Sequence, residues 1–292
     1  MRRQIIVVFL SLFWLACTPA SATDRGALFK VTANGHSMLL FGTMHAGRPD
    51  FYPLEPRITQ ALAAAPTLAL EIDPGIAPDA AAKAIHDHAL ARPGSVIPAA
   101  LAARLARVQR QAGMDPAAMA PYKPWLVATV LVMHEFSALG YRPELAVDAH
   151  LAALAHAGNV KVVELESLDA QMAMFSRLSD ADQLRFLDET VAQVEAGKQR
   201  AEAREVVDAW RTADRAALDA IAERLQKDTS LSARFFQKEL LDGRNGAMAD
   251  KLLQLLRREN NTVAAIGVLH LVGKGSVPAL MRAKGAMVER LY

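Results

Sequence analysis

Two short apolar runs in this chain end in the same way: a glycine, two intervening residues and a histidine. Met38-Leu-Leu-Phe41 leads into Gly42-Thr-Met-His45. Near the other end, Thr262-Val-Ala-Ala-Ile266 leads into Gly267-Val-Leu-His270. Both runs have the length and β-branched, apolar content of buried strands. A terminal glycine permits a sharp change of backbone direction, so each histidine stands just past a strand end. The two histidines are 225 positions apart. One unit alone constrains little. Two units in the same local context call for a sheet that brings both to one place, and open α/β sheets form ligand sites outside the carboxyl ends of their strands.

Two further strand-like runs end in acid. Thr67-Leu-Ala-Leu70 is followed by Glu71-Ile-Asp73-Pro74, and Val160-Lys-Val-Val163 by Glu164-Leu-Glu166-Ser167. Laid side by side and parallel, the four strands would turn His45, Glu71, Glu166 and His270 toward one cleft. Two imidazoles and one or two carboxylates are ligand types for a divalent metal such as Zn, Mn, Co or Fe. Asp73 follows Glu71 at i+2 and either shares the pocket or serves the turn before Pro74. Glu164 and Glu166, also two apart, are expected on one strand face.

Around these runs the sequence alternates strand and helix. Phe29-Lys-Val-Thr-Ala33, then Asn34-Gly35, then His36 to Phe41 reads as a β-hairpin, because Asn-Gly is a strong two-residue turn signal. His36 falls in that turn and is expected to be solvated. Arg57–Ala65 reads as a short helix that enters the Leu68–Ile72 strand, making a β-α-β unit. From about 78 to 140 the pattern is Ala-rich and helical, broken by Pro and Gly, which predicts several helices over the cleft. His86 and His88 are two apart and so face different ways. His134, in the apolar Trp125–Leu139 stretch, is expected to be packed or partly buried. A helix over Asp148–His156, stopped by Gly158, precedes the Val160–Leu165 strand. Residues from about 167 to 259 carry amphipathic helical spacing and no strand. Arg244-Asn245 precedes a helix over Gly246–Arg258. Arg244 is a candidate anion-binding group, and Asn245 either an orienting group or the helix N-cap. A helix over Val277–Lys284 and a strand over Ala286–Leu291 close the chain. The expected fold is a mixed α/β domain over 23–292: a central, mostly parallel sheet with an N-terminal hairpin, covered by helices, with helical insertions at about 78–140 and 167–259.

The first residues bound the compartment. Arg2 and Arg3, an apolar stretch from Ile5 to Cys17 and Ala20-Ser-Ala22 have the layout of a secretory signal cleaved after Ala22. The expected location is the periplasm or the exterior. An uncleaved leader or an acylated Cys17 would instead tie the chain to a membrane surface; the apolar stretch is short for a span, and Trp14 stands where such lipid-attachment signals usually carry Leu. Cys17 is the sole cysteine, so residues 23–292 contain neither a disulfide nor a Cys nucleophile or ligand. Without Arg2 and Arg3 the Lys+Arg and Asp+Glu counts are both 31. A net charge near zero gives no electrostatic case for nucleic acid.

Taken together, Leu-Phe-Gly42-Thr-Met-His45, Leu-Ala-Leu-Glu71-Ile-Asp73, Val-Asp148, Leu165-Glu166-Ser with Gln171, Arg244-Asn245-x-x-Met-Ala and Gly267-Val-Leu-His270-Leu-Val-Gly resemble the TraB/GumN family, whose relatives include the Tiki-type membrane metalloproteases. The ordered set, spanning Phe29 to Tyr292, is specific, and any single piece is not. The resemblance implies an active site of the two Gly-x-x-His histidines and a strand-end glutamate. It also implies a fold related to erythromycin esterase and to a haem-binding lipoprotein family. Val268-Leu269 stands where small residues are common, and a narrower pocket is expected from it.

The leading expectation is a metal-dependent hydrolase of peptides or related amides and esters. His45, Glu71 and His270 would hold a divalent metal (Mn, Co or Zn), Glu166 would act as general base and Arg244 would steady an oxyanion. The zinc-protease motif H-E-x-x-H is absent, so nothing singles out zinc. Two alternatives stay open. One is a metal-free esterase in which a histidine–carboxylate pair activates water. The other is a binding protein for a peptide, a haem or a polysaccharide without chemistry.

Overall fold

The computed structural model describes residues 23–75 and 78–292, so the leader and Cys17 lie outside the described residues. Six strands form one mixed sheet in the order β4-β3-β5-β2-β1-β6. They are β1 (Leu28–Ala33), β2 (His36–Thr43), β3 (Thr67–Leu70), β4 (Lys161–Glu164), β5 (Thr262–Gly267) and β6 (Met287–Arg290). β2, β5, β3 and β4 run parallel to one another, whereas β1 is antiparallel to both β2 and β6. The fold is therefore the mixed α/β architecture expected, with four parallel strands ending at one edge. The expected hairpin forms β1 and β2 and turns at Asn34 and Gly35, both with positive φ.

β3 and β5 are buried at every position. Each is an uninterrupted apolar run, not an alternating one, because helices cover both faces, as is usual for parallel sheets. The main core gathers the sheet, the Pro56–Ala64 and Val147–Ala157 helices and the Gly243–Arg258 helix. A second, smaller core lies away from the sheet. There Leu101, Leu105, Val108, Val127, Ala128, Leu131, Leu187 and Val191 pack together, so the two helical insertions lean on each other. Among the described residues no helix is long and apolar enough to cross a membrane.

The second insertion is pinned to the sheet by Trp210. This side chain is fully buried, packs against Phe41 and Phe51, and donates its indole N–H to the Gly42 carbonyl at 2.8 Å. Gly26 sits in the same knot. Its N–H donates to the Trp210 carbonyl, its φ is +68°, and a Cβ there would lie 2.6 Å from both the Gly42 oxygen and Trp210 Nε1. The knot fixes β2 three residues before His45.

Several local expectations are corrected. His36 is not a solvated turn residue: it opens β2, is half-buried, and its Nδ1 donates to the Leu256 carbonyl at 2.8 Å, tying the hairpin to the helix behind it. Arg244 and Asn245 do not precede a helix. A π-helical segment, Phe236–Asp242, joins the Leu231–Phe235 turn to the Gly243–Arg258 helix, so both residues lie within a continuous helical stretch and Asn245 caps nothing. The glycines there, Gly243 and Gly246, do not stop the helix, which absorbs both.

Replacing Trp210 by Phe should destabilise the protein by about 1–3 kcal/mol, because a buried carbonyl loses its donor. Trp210→Ala should cost about 3–5 kcal/mol through the added cavity. Urea unfolding followed by circular dichroism checks both, and a Phe variant as stable as wild type would contradict the pinning role.

Candidate functional site

The four parallel strands end within two residues of one another. Thr43 pairs with Gly267, Leu70 with Ala265 and Leu70 with Glu164 across the sheet. His45 follows β2 by two residues, Glu71 follows β3 at once, Glu166 follows β4 by two, and His270 ends a single turn of 3-10 helix, Val268–His270, after β5. The carboxylate of Glu71 is at the centre. His45 Nε2 lies 3.6 Å from its Oε1, and His270 Nε2 lies 3.8 Å from its Oε2. The Gly267 N–H donates to Oε1 at 2.6 Å, and the Arg244 guanidinium donates to Oε2.

The glycines of the two Gly-x-x-His units serve each other's histidine. A Cβ on Gly42 would come within 2.9 Å of the Val268 side chain, so only glycine lets the β5 turn pack this close to β2. Val268 is buried in that contact. A Cβ on Gly267 would lie 3.1 Å from His45 Nε2, 3.2 Å from Glu71 Oε1 and 3.6 Å from His270 Cδ2. The missing side chain leaves the space between the three groups.

Each imidazole is oriented through its other nitrogen. His45 Nδ1 is 2.8 Å from Asp148 Oδ2. Backbone bonds hold that pair: Val147 N–H to the Met44 carbonyl (2.9 Å), and the reciprocal Gly47 and Arg142 pair (2.9 and 2.8 Å). Gly47 is required there, since a Cβ would stand 1.8 Å from the Leu145 oxygen. His270 Nδ1 is 2.6 Å from Asn245 Oδ1, and the Asn245 amide donates its N–H to the Gly275 carbonyl at 2.8 Å. The carbonyl of Gly275 thus sets the amide orientation, and the amide oxygen must accept a proton from Nδ1. Both Nε2 atoms then face the Glu71 carboxylate.

The two histidines differ in charge. His270 is buried, and loss of hydration pulls its pKa down to about 4, against the attraction of Glu71. His45 has a side chain more than half exposed. Partial desolvation lowers its pKa, but the hydrogen bond and charge of Asp148, with the charge of Glu71, more than reverse this and raise it to about 9. Burial pushes Glu71 up, while His270, His45, Arg244 and the Gly267 N–H together bring it down to about 2. At neutral pH the cleft holds a cationic His45, a neutral His270 and an ionised Glu71.

Arg244 bridges the acids. Its Nη2 contacts both Glu71 Oε2 and Glu166 Oε2, its Nε donates to Glu166 at 2.8 Å, and its Nη1 donates to the Leu240 carbonyl at 3.0 Å. Gln171 adds a donor to Glu166 Oε2 at 2.9 Å. Leu240 belongs to the π-helical segment, a wide turn of the kind that recurs at functional sites.

The structure brings together all five expected residues: His45, Glu71, Glu166, Arg244 and His270. It sends two others away. Asp73 serves the turn, accepting from the Gly75 N–H at 3.0 Å and pairing with His156 at 3.0 Å. Glu164 accepts from the Asp73 N–H, because β4 stops at Glu164 and the strand alternation ends with it. Asp148, Gln171 and Gly47 join the site without having been assigned roles from sequence. Asp148 lies 103 positions from His45, with no periodicity to link them. The donor atoms available to a metal are the two Nε2 nitrogens and the Glu71 carboxylate. Among the described residues no group of three or more His, Cys, Asp or Glu side chains is placed closely enough to hold a metal ion as it stands.

Comparison with known proteins places the chain in a family. The uncharacterized protein YbaP of Shigella flexneri is 28% identical over 252 residues, covering 85% of this chain and 89% of that protein. YbaP of Escherichia coli (strain K12), also uncharacterized, is 28% identical over 246 residues, covering 83% of this chain and 87% of its own length. No solved structure matches significantly. The description "TraB/PrgY/gumN family" matches residues 27–290, from the residue before β1 to the end of β6. The chain belongs to the TraB/PrgY/gumN family.

Proposed function

We propose that this protein is a metal-dependent hydrolase of peptides or related amide or ester substrates, exported to the cell envelope. The observation that carries the reading is the pair of imidazole Nε2 atoms facing one carboxylate, each ring locked by an acceptor on its Nδ1. Metal-ligating histidines recurrently have this outer hydrogen bond. Two bonds of about 2.0–2.1 Å at a tetrahedral angle separate their ligand atoms by about 3.4 Å. The Nε2–carboxylate separations of 3.6 and 3.8 Å are within a small adjustment of that. The donor set of two nitrogens and carboxylate oxygen suits Mn, Co or Zn. His45, His270 and Glu71 would hold the ion, which supplies a Lewis acid and an ionisable water at neutral pH.

The other residues have roles that follow from their atoms. Glu166 is the base: it is a strand-end carboxylate beside Glu71, and Gln171 and Arg244 hold its orientation. Arg244 has five N–H donors. Nε, one on Nη1 and both on Nη2 are committed to protein acceptors, so one Nη1 N–H is left to meet an oxyanion.

A metal-free general-base reading draws on the Asp148–His45 pair, which is built like an orienting acid behind a base. The proton on His45 works against it. Asp148 and Glu71 raise the pKa of His45 to about 9, and a base must be unprotonated; a metal on Nε2 would have to displace the same proton. A bis-histidine haem site is disfavoured because the Glu71 carboxylate stands between the rings.

Purified protein lacking the leader should take up close to one equivalent of Mn, Co or Zn, measured by elemental analysis, and the double variant His45→Ala, His270→Ala should take up none. No uptake by wild type after addition of all three would remove this reading. Chelation should abolish hydrolysis of a peptide or ester library and metal should restore it; activity that survives chelation would favour the metal-free reading. Gly267→Ala should lower metal affinity tenfold or more while leaving the circular dichroism unchanged, because its methyl intrudes between His45 and Glu71. Unchanged affinity in that variant would place any metal elsewhere.

A further inference from the structure

Both oxygens of Glu71 are already engaged. Oε1 accepts the Gly267 N–H, and Oε2 accepts Arg244. The Gly267 donor is backbone in a buried strand end and cannot leave. The Arg244 donor is a side chain with a second anchor: its Nε and Nη2 also hold Glu166, and its Nη1 holds the Leu240 carbonyl. It can give up Glu71 and keep its place. Meanwhile a single nitrogen of Arg244 touches both carboxylates. Glu71 and Glu166 are largely buried, and two ionised carboxylates this close need a cation between them.

We infer that Arg244 is a tethered placeholder cation: it neutralises Glu71 and Glu166 before metal arrives, and the metal displaces it from Glu71 onto Glu166 alone. This rests on the metal-dependent reading and adds a regulation of that site. Two ligands that compete for one group are negatively coupled, and the coupling appears in the affinity of each. Arg244 therefore weakens metal binding while it stabilises the metal-free fold. It also links the two states of the cleft. Once released from Glu71, an Nη2 N–H becomes available beside the Nη1 N–H for a substrate oxygen, so the second oxyanion donor is freed only when metal is in place. In this role Arg244 is a positioning residue in the metal-free protein and a substrate-contacting residue afterward.

The test is metal affinity, not activity. Mn2+, Co2+ and Zn2+ are each titrated by calorimetry into wild type, Arg244→Gln and Glu166→Gln, with thermal melting of the metal-free and metal-saturated forms. Arg244→Gln should melt lower without metal and yet bind metal about tenfold or more tighter, within the usual range of such couplings. Glu166→Gln should bind metal more weakly, because Arg244 then has only Glu71 to pair with. A residue with a purely structural role would lower affinity when removed, so the sign of the Arg244 effect is decisive. Where Arg244→Gln does not fold without metal, Arg244→Lys serves: a single ammonium cannot reproduce the fork, and it should bind metal more tightly than wild type but less tightly than the Gln variant. A folded Arg244→Gln protein with equal or weaker affinity, beside a wild type that binds, overturns this inference alone. No binding by any variant overturns the metal-dependent reading and this inference with it.

Discussion

One carboxylate organises this molecule. Glu71 sits on the strand end that separates the two histidine-bearing strands from the other acid, and it meets a backbone N–H, a guanidinium and two imidazoles at once. Burial alone would hold its proton on. The cations and the N–H around it reverse this and bring its pKa to about 2. A buried charge is tolerated only when it is fully paired and hydrogen-bonded, so each partner of Glu71 is also a constraint on the fold. The neighbouring ends of β2, β3 and β5, the turn after Gly267 and the helical stretch that carries Arg244 are all set by the need to reach the same two oxygens.

Glycine makes that convergence possible. Gly42, Gly47 and Gly267 each stand where any Cβ would run into a neighbour: Val268, the Leu145 oxygen, and His45 with Glu71, respectively. None of the three is explained by a left-handed backbone, since φ is positive at none of them. They are there for close approach. Two do scaffold work, drawing β2 against the β5 turn and His45 against the segment that carries Asp148. The third leaves space at the centre of the site. A motif that looks like one device repeated is two different uses of the same missing side chain.

This explains what was legible in the sequence and what was not. His45, Glu71, Glu166 and His270 could be read because each ends a short apolar run, and a parallel sheet carries strand ends to a common edge. The Asn34-Gly35 hairpin was equally plain. Asp148 was not, because its partnership with His45 depends on loop–loop backbone bonds and on Gly47, which no periodicity reports. For Asn245 the sequence left two readings, an orienting group or a helix cap, because the helix was expected to start there. A π-helical segment carried the helix through, and the side chain turned instead to His270. Glu164 and Glu166 have the same spacing as any pair on a strand face, but the strand ends between them. The helical insertions were visible as helices, yet their shared core was not, since which apolar faces meet is decided only in three dimensions.

The two histidines show how the surrounding residues divide the work. Behind His270 is an amide whose orientation is fixed by a backbone carbonyl; it can accept a proton but carries no charge. A neutral partner and deep burial leave that imidazole neutral, with its pKa near 4. Behind His45 is a carboxylate, and the ring is open to solvent on one side. An anionic partner favours positive charge in front of it, whether that charge is a proton or a metal ion. His270 thus presents a bare Nε2 lone pair, while His45 carries its proton. A cleft assembled this way has a buried, neutral half against β5 and a solvent-facing, cationic half at His45. Arg244 completes the arrangement as a second cation, holding Glu71 and Glu166 together.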